Sequence, residues 1–302
     1  MFKVVCVGAF HRRGIELLES RPDLVTYEVL TDLSPENVAR GVAGADAVVV
    51  RTTPLPRETL ERADRLRIVS RHGVGTDNVG SVAEHTLMML LALAKDAMAG
   101  DRATRSGDFA WRDRRTASDV AGKSALIMGF GRIGQRVGAL CRALGLRVAA
   151  FDPYMERSPV EGVELVKDFR AILPETDFLC LHLPSTPETR DLIGAGELAL
   201  LKRGAFVINC ARGGIVDEDV LCDALESGHL GGAGLDVFAK EPPDTAHRLF
   251  RQEKVLLSPH NAALTEECAI RMATQAVQNV LDCLDGKLQT RVVMNRREIG
   301  MA

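Results

Sequence analysis

The sequence predicts an α/β protein of two doubly wound parallel-sheet domains, one inserted into the other. Three observations carry that prediction. Short apolar runs alternate with helical spacings along most of the chain, as expected for strands buried on both faces. A glycine-rich turn, Gly129-Phe130-Gly131-Arg132-Ile133-Gly134, sits near the middle between a strand pattern and a helix pattern. A long amphipathic pattern over residues 265–284 then leads the chain back toward its first domain.

Residues 1–79 alternate strand and helix. Strands are expected at 3–7, 25–30, 47–51 and 67–70, with helices at 14–20, from Pro35 and at 58–63. Ser34-Pro35-Glu36 reads as a helix start, with serine as cap and proline at the first position. This small parallel domain has no glycine fingerprint after its first strand. Ser81-Val82-Ala83-Glu84 reads as a capping box. It opens a helix that is apolar nearly all round and is therefore expected to be buried. From Asp101 to Asp119 the chain is polar and arginine-rich around its only tryptophan, Trp111. That segment reads as a solvated loop or as an arm that packs on a partner chain.

The apolar run 124–128 reads as a buried strand. Residues 133–144 carry helical spacing, with Gly145 as the stop, and 147–151 form the next strand, ending at Asp152. Strand, glycine turn, helix, strand and acid make one dinucleotide-binding βαβ unit. Gly129 allows the tight turn, Gly131 lets a pyrophosphate approach the backbone, and Gly134 lets helix and strand pack closely. Arg132 and Ile133 open the helix whose free N–H groups and dipole attract the phosphates. Asp152 is placed to bond the ribose hydroxyls and would repel a 2′-phosphate, which favours NAD over NADP. Further strands are expected at 178–182, 205–209, 232–236 and 255–257, and a helix at 217–227. The layout is a Rossmann domain over residues 84–265, inserted into a smaller flavodoxin-like substrate domain made of 1–83 and 266–302.

Composition narrows the function. The chain has 302 residues, 46% hydrophobic and 26% charged, with a net charge of −3. Both signs are interspersed, so nothing points to nucleic acid or a membrane surface. No apolar run is long enough to span a bilayer, and the N-terminus enters a strand without a signal-peptide layout. The seven cysteines lack metal-ligand spacing, so no metal is expected. Cys6, Cys180 and Cys210 fall in apolar strands and read as reduced thiols of a cytoplasmic protein.

Three polar groups follow apolar strands, where open α/β sheets bind ligands. They are Arg212 in Asn209-Cys210-Ala211-Arg212, Glu241 in the segment that starts at Asp236, and His260 in Ser258-Pro259-His260. A hydride-transfer site for a 2-keto acid needs such groups. An arginine can hold the carboxylate with two parallel bonds. A histidine can protonate the developing alkoxide. A carboxylate bonded to that histidine favours the imidazolium.

With those residues in view, the chain resembles the D-isomer specific 2-hydroxyacid dehydrogenases along nearly its whole length. Further motifs carry the resemblance: His72-Gly73-Val74-Gly75-Thr76-Asp77-Asn78, Ser81-Val82-Ala83-Glu84-His85, His182-Leu183-Pro184, NCARGGIVD from Asn209 and GLDVFAKEP from Gly234. The resemblance implies that Arg212 holds the substrate and that Glu241 and His260 form the acid–base pair. Asp236 and the Cys210 carbonyl would meet the nicotinamide amide, and Pro184 would lie near the adenosine. The backbone of Val74 and Gly75 would help bind the substrate carboxylate. Arg51 and Arg71 look like those of 3-phosphoglycerate dehydrogenases, which implies an anionic substrate tail. The family implies NAD as cofactor and a homodimer through the nucleotide domain, with the 101–119 arm taking part. A corepressor branch of the family supplies a second reading, an NAD(H)-binding interaction protein. Formate dehydrogenases carry glutamine where Glu241 stands, which argues against that branch.

One departure stands out. Family members continue past Asp77-Asn78-Val79 through a helix, a strand and an Asn-x-Pro-Gly-type loop. Here Val79-Gly80 runs straight into Ser81. Loss of an interior strand would leave backbone groups unpaired, so the sequence predicts a break in the chain between Val79 and Ser81.

Overall fold

The computed structural model describes residues 1–73 and 78–300. It divides into two compact units, Met1–Asn78 with Leu264–Ala302, and Val79–Ala263.

In the first unit the order is β1 (Phe2–Val7), α1 (Arg12–Glu19), β2 (Val25–Leu30), α2 (Pro35–Ala43), β3 (Ala47–Val50), α3 (Arg57–Glu61) and β4 (Ile68–Arg71). The strands form a parallel sheet in the order β2-β1-β3-β4. Alternate residues of β1 and β3 face opposite ways, which is why both faces are apolar. Val5, Val7, Val48 and Val50 pack with Val38 and Val42 of α2. Val4, Cys6, Ala47 and Val49 pack with Leu18 of α1 and with Ala276, Val277 and Val280 near the end of the chain.

The second unit holds α4 (Val79–Ala94), α5 (Ala97–Arg105), β5 (Ser124–Met128), α6 (Arg132–Ala143), β6 (Arg147–Phe151), β7 (Val163–Leu165) and β8 (Phe178–Leu181). It continues with α7 (Ala195–Leu200), β9 (Phe206–Asn209), α8 (Glu218–Glu226), β10 (Gly232–Leu235) and β11 (Val255–Leu257). The last helix, α9 (Glu266–Leu284), belongs to the first unit. Its Thr265 cap accepts from the Cys268 N–H, and Glu266 and Glu267 sit in its positive first turn.

The seven-stranded sheet of the second unit runs β11-β10-β9-β8-β5-β6-β7, and all its pairs are parallel. Counted from the fingerprint strand β5, this is the doubly wound order of dinucleotide-binding sheets. The direction of winding reverses between β5 and β8, where such sheets open to ligand. One face, with Ile127, Cys180 and Ile208, is covered by Val82, Met89 and Leu90 of α4 and by Val137 and Cys141 of α6. The other, with Leu126, Leu179 and Val207, is covered by Leu198 of α7 and by Leu221 and Leu225 of α8.

The structure corrects three expectations. The chain is continuous from Val79 through Gly80 and Ser81, all in the first turn of α4, so the expected break does not exist. Among the described residues the first sheet ends at β4 instead, so none of its interior strands lacks a neighbour. Ser81 is consequently not a cap: it lies inside the helix and is buried. The 101–119 segment is not simply a loop, since its start falls in α5 and a 3-10 turn covers Phe109–Asp113. Two short elements, β7 and α7, had no clear sequence signal.

The fingerprint glycines play separable parts. A Cβ on Gly134 would run into the Gly129 carbonyl oxygen, whereas one on Gly131 would meet nothing within 4 Å. Gly134→Ala should therefore cost about 1–3 kcal/mol of stability by forcing helix and strand apart. Gly131→Ala should leave stability within about 0.5 kcal/mol but obstruct a bound pyrophosphate. Thermal unfolding beside dinucleotide titration checks the pair, and equal melting losses would contradict the distinction.

Candidate active site

The dinucleotide cradle is built from the fingerprint turn. Gly129 has φ +85°, a left-handed conformation that suits glycine. A Cβ there would also collide with the carbonyl of His182, which closes the turn against the end of β8. Gly131 is the N-cap of α6 and supplies no side chain, so the N–H groups of the first turn stay available to an anion. Arg132, the first residue of α6, is exposed. Asp152 accepts from the Phe130 N–H at 2.9 Å and from the Tyr154 N–H at 3.0 Å. It thereby ties the end of β6 to the fingerprint, and a carboxylate keeps further acceptor positions for ribose hydroxyls. The residues present thus fit a dinucleotide. Pro184 lies past β8, its carbonyl accepting from the Thr189 hydroxyl at 2.7 Å.

Three loops after β9, β10 and β11 hold the polar groups. Buried Asn209 ends β9. It accepts from the Ala211 N–H at 3.0 Å and donates to the Arg212 carbonyl at 3.0 Å, which shapes the turn that presents Arg212. Gly213 then lies against the loop after β10, where a Cβ would strike the Phe238 carbonyl. That loop is pinned from the other side by Glu218, which accepts from the Ala239 N–H at 2.6 Å. Cys210 is buried, its sulfur 3.9 Å from that of Met89.

Glu241 and His260 meet. His260 Nδ1 and Glu241 Oε2 are 2.7 Å apart, and Glu241 Oε1 accepts from the Phe238 N–H at 3.1 Å. A carboxylate only accepts, so the hydrogen lies on Nδ1 and Nε2 is left for a reacting group. His260 has φ +52°, unusual for a residue with a side chain. Partial burial would raise the Glu241 pKa. The bonds from His260 and Phe238, with the nearby charges of His260 and Arg212, outweigh that and hold it below the ordinary glutamate value. The Arg212 Nη1 donates to the Ala211 carbonyl at 2.6 Å. Asp236 is 1% exposed and holds the third loop, accepting from the Asn261 N–H at 2.9 Å and the Ala262 N–H at 3.0 Å.

In the first unit Arg51 follows β3 and Arg71 ends β4, where Val50 and Arg71 are register partners. The Arg71 Nε donates to the Arg51 carbonyl at 3.4 Å, so the two arginines are neighbours on one sheet edge. Arg51 and His72 also line a pocket with Phe10, His11 and Met272. The expected contribution of Val74 and Gly75 lies outside the described residues. Among the described residues no cluster of His, Cys, Asp or Glu could hold a metal ion, and no helix is long and apolar enough to cross a membrane.

These features define a dinucleotide-binding α/β protein with a hydrogen-bonded histidine–glutamate pair at the carboxyl edge of its sheet. Two family models match the chain. One is the catalytic domain of the D-isomer specific 2-hydroxyacid dehydrogenases, over residues 4–80, and the other is their NAD binding domain, over 87–262. The chain belongs to that family, and NAD is its cofactor. The D-3-phosphoglycerate dehydrogenase of Methanocaldococcus jannaschii is 34% identical over 97% of this chain and 59% of its own length. That of Mycobacterium leprae is 40% identical over 82% of this chain and 50% of its own. The chain thus spans about half to three-fifths of these curated relatives. The M. jannaschii alignment runs over 316 positions, more than the 302 residues here, so that relative has residues with no counterpart in this chain. D-lactate dehydrogenase from Aquifex aeolicus, solved with NAD and lactic acid, gives a TM-score of 0.79 at 25% identity, covering 94% of this chain and 96% of that one.

Residue spacing gives His182 no role beyond its motif. Neither ring nitrogen has a hydrogen-bond partner, and burial pushes its pKa down to about 4 from 6.5. The folded chain keeps the ring neutral while the unfolded chain takes a proton below about pH 6.5, so stability falls as pH drops from 6.5 toward 4. Between pH 7 and 5 the loss from this one group is about 2 kcal/mol. His182→Leu should flatten that part of the pH profile in urea unfolding, and an unchanged profile would contradict the assignment.

Proposed function

We propose that the protein is an NAD-dependent oxidoreductase acting at C2 of a small D-2-hydroxy or 2-keto acid. The observation that carries this reading is the 2.7 Å bond between His260 and Glu241, at the sheet edge that also bears Arg212. When bound, the nicotinamide donates or accepts the hydride at C2. In the reducing direction Arg212 binds the substrate carboxylate, replacing its bond to the Ala211 carbonyl with a fork to the two oxygens. His260 gives the proton on Nε2 to the carbonyl oxygen as it becomes an alcohol. Glu241, held anionic by its surroundings, stabilises the imidazolium before transfer and keeps the ring oriented through Nδ1. Asp236 and the Cys210 carbonyl orient the nicotinamide amide, and Pro184 borders the adenosine. In oxidation the same histidine accepts the hydroxyl proton.

The substrate we favour carries a second anionic group, as 3-phosphoglycerate and phosphohydroxypyruvate do. Arg51 and Arg71, adjacent at the ends of β3 and β4, support this reading, as do the names of the relatives. Val74 and Gly75 remain assigned to the substrate carboxylate by family resemblance. A homodimer through the nucleotide unit is favoured by two exposed apolar side chains, Phe109 (67%) in the otherwise polar 101–119 arm and Met98 (47%) just before it.

NADH oxidation against phosphohydroxypyruvate, hydroxypyruvate, glyoxylate and 2-oxoglutarate tests the proposal. We expect turnover with at least one keto acid, fastest with the phosphorylated one. His260→Ala should lower kcat by about 10²–10⁴-fold while NADH binding persists. Tight NADH binding without turnover of any acid would favour the interaction-protein reading instead.

A further inference from the structure

The Ser-Val-Ala-Glu-His motif on α4 has no part in the proton and hydride steps above, yet its histidine reaches the site. His85 Nε2 lies 2.9 Å from the Ser258 hydroxyl and 3.7 Å from Asp236 Oδ1, and the Ser258 hydroxyl lies 2.5 Å from the same Oδ1. The polarity of this chain is forced. A carboxylate accepts only, and serine has one hydrogen to give. Ser258 therefore donates to Asp236, and its oxygen accepts from the Nε2–H of His85. Asp236 is buried and the other two groups are partly so, with side-chain exposures of 2% for Asp236 and 16% for His85.

Asp236 has about four acceptor positions. Oδ1 takes Ser258 and the Asn261 N–H, and Oδ2 takes the Ala262 N–H. One position remains, on Oδ2. The bonds to Asn261 and Ala262 also fasten the two residues that follow His260 in its left-handed conformation.

We propose that His85 and Ser258 are positioning residues. Through a one-way hydrogen-bond chain they fix the Asp236 carboxylate so that its last free position, on Oδ2, accepts the amide N–H of the nicotinamide, while the same carboxylate holds the His260 loop. The proposal deepens the redox reading, which it takes as its frame, by naming what sets coenzyme orientation. It gives the α4 motif a direct reason to contain a ring N–H donor. Ser258 serves as a relay: without His85 it can still donate to Asp236, but its oxygen loses the partner that fixes the hydroxyl direction.

The test is coenzyme binding by the intact chain, measured calorimetrically with NADH and with reduced 3-acetylpyridine adenine dinucleotide, whose methyl ketone replaces the amide. The wild type should prefer NADH. Ser258→Ala and His85→Leu should each weaken NADH by about 10-fold, as expected for a hydrogen bond to a charged group, and leave the acetylpyridine coenzyme nearly unaffected. His85→Gln, which keeps an N–H near the Nε2 position, should restore most of the preference. Because the residues act in series, His85→Leu with Ser258→Ala should be no worse than Ser258→Ala alone. Equal weakening of both coenzymes, failure of the Gln variant to restore the preference, or additive losses would overturn the proposal. Binding alone decides it, so a chain that turned over no keto acid would sink the redox reading while leaving these outcomes to be read.

Discussion

The site depends on how closely the loops after β9 and β10 can approach. Gly213 has no room for a side chain, because the Phe238 carbonyl occupies that space. This contact sets the segment carrying Arg212 directly against the segment that leads to Glu241. Asn209 braces one loop and Glu218 the other, so the approach is held from both sides. A parallel sheet brings strand ends to a common edge. It does not by itself bring side chains within bonding distance, and here glycine, amide and carboxylate do that.

Asp236 extends the same logic to the third loop. A buried carboxylate is costly unless its acceptor positions are filled, and three donors from Ser258, Asn261 and Ala262 meet that need. His260 can then adopt an uncommon backbone conformation, because its neighbours on the C-terminal side are fixed by hydrogen bonds. Glu241 meets the ring itself. The imidazole is thus oriented twice, once through its backbone and once through Nδ1.

Much of this could be read from the sequence, and the reasons are physical. Parallel strands buried on both faces must be apolar, so β1, β3, β5, β8 and β9 stand out as runs, and the polar residues past β9, β10 and β11 mark the ligand edge. The βαβ unit around Gly129 was legible because close backbone approach admits few residue types. Short or polar elements were not: β7 has three residues, and α5 is polar and follows Asp96 in a left-handed conformation. The sequence does not show the start of α4, because Ser81 suits a cap, whereas helix propagation from Val79 buries it. In the sequence, resemblance alone gives Asp236 a cofactor role. That it also ties down the His260 loop, and that His85 stands behind it, depends on hydrogen-bond directions that no residue spacing encodes.

Among the described residues the sheet of the first unit stops at β4, whose Val69 is 40% exposed. A terminal strand presents backbone donors and acceptors along its outer side, and proteins commonly guard such sides with charge. Arg67 precedes β4 and Arg71 ends it in this chain. Like charges on two such edges repel one another, and that repulsion weakens as salt rises.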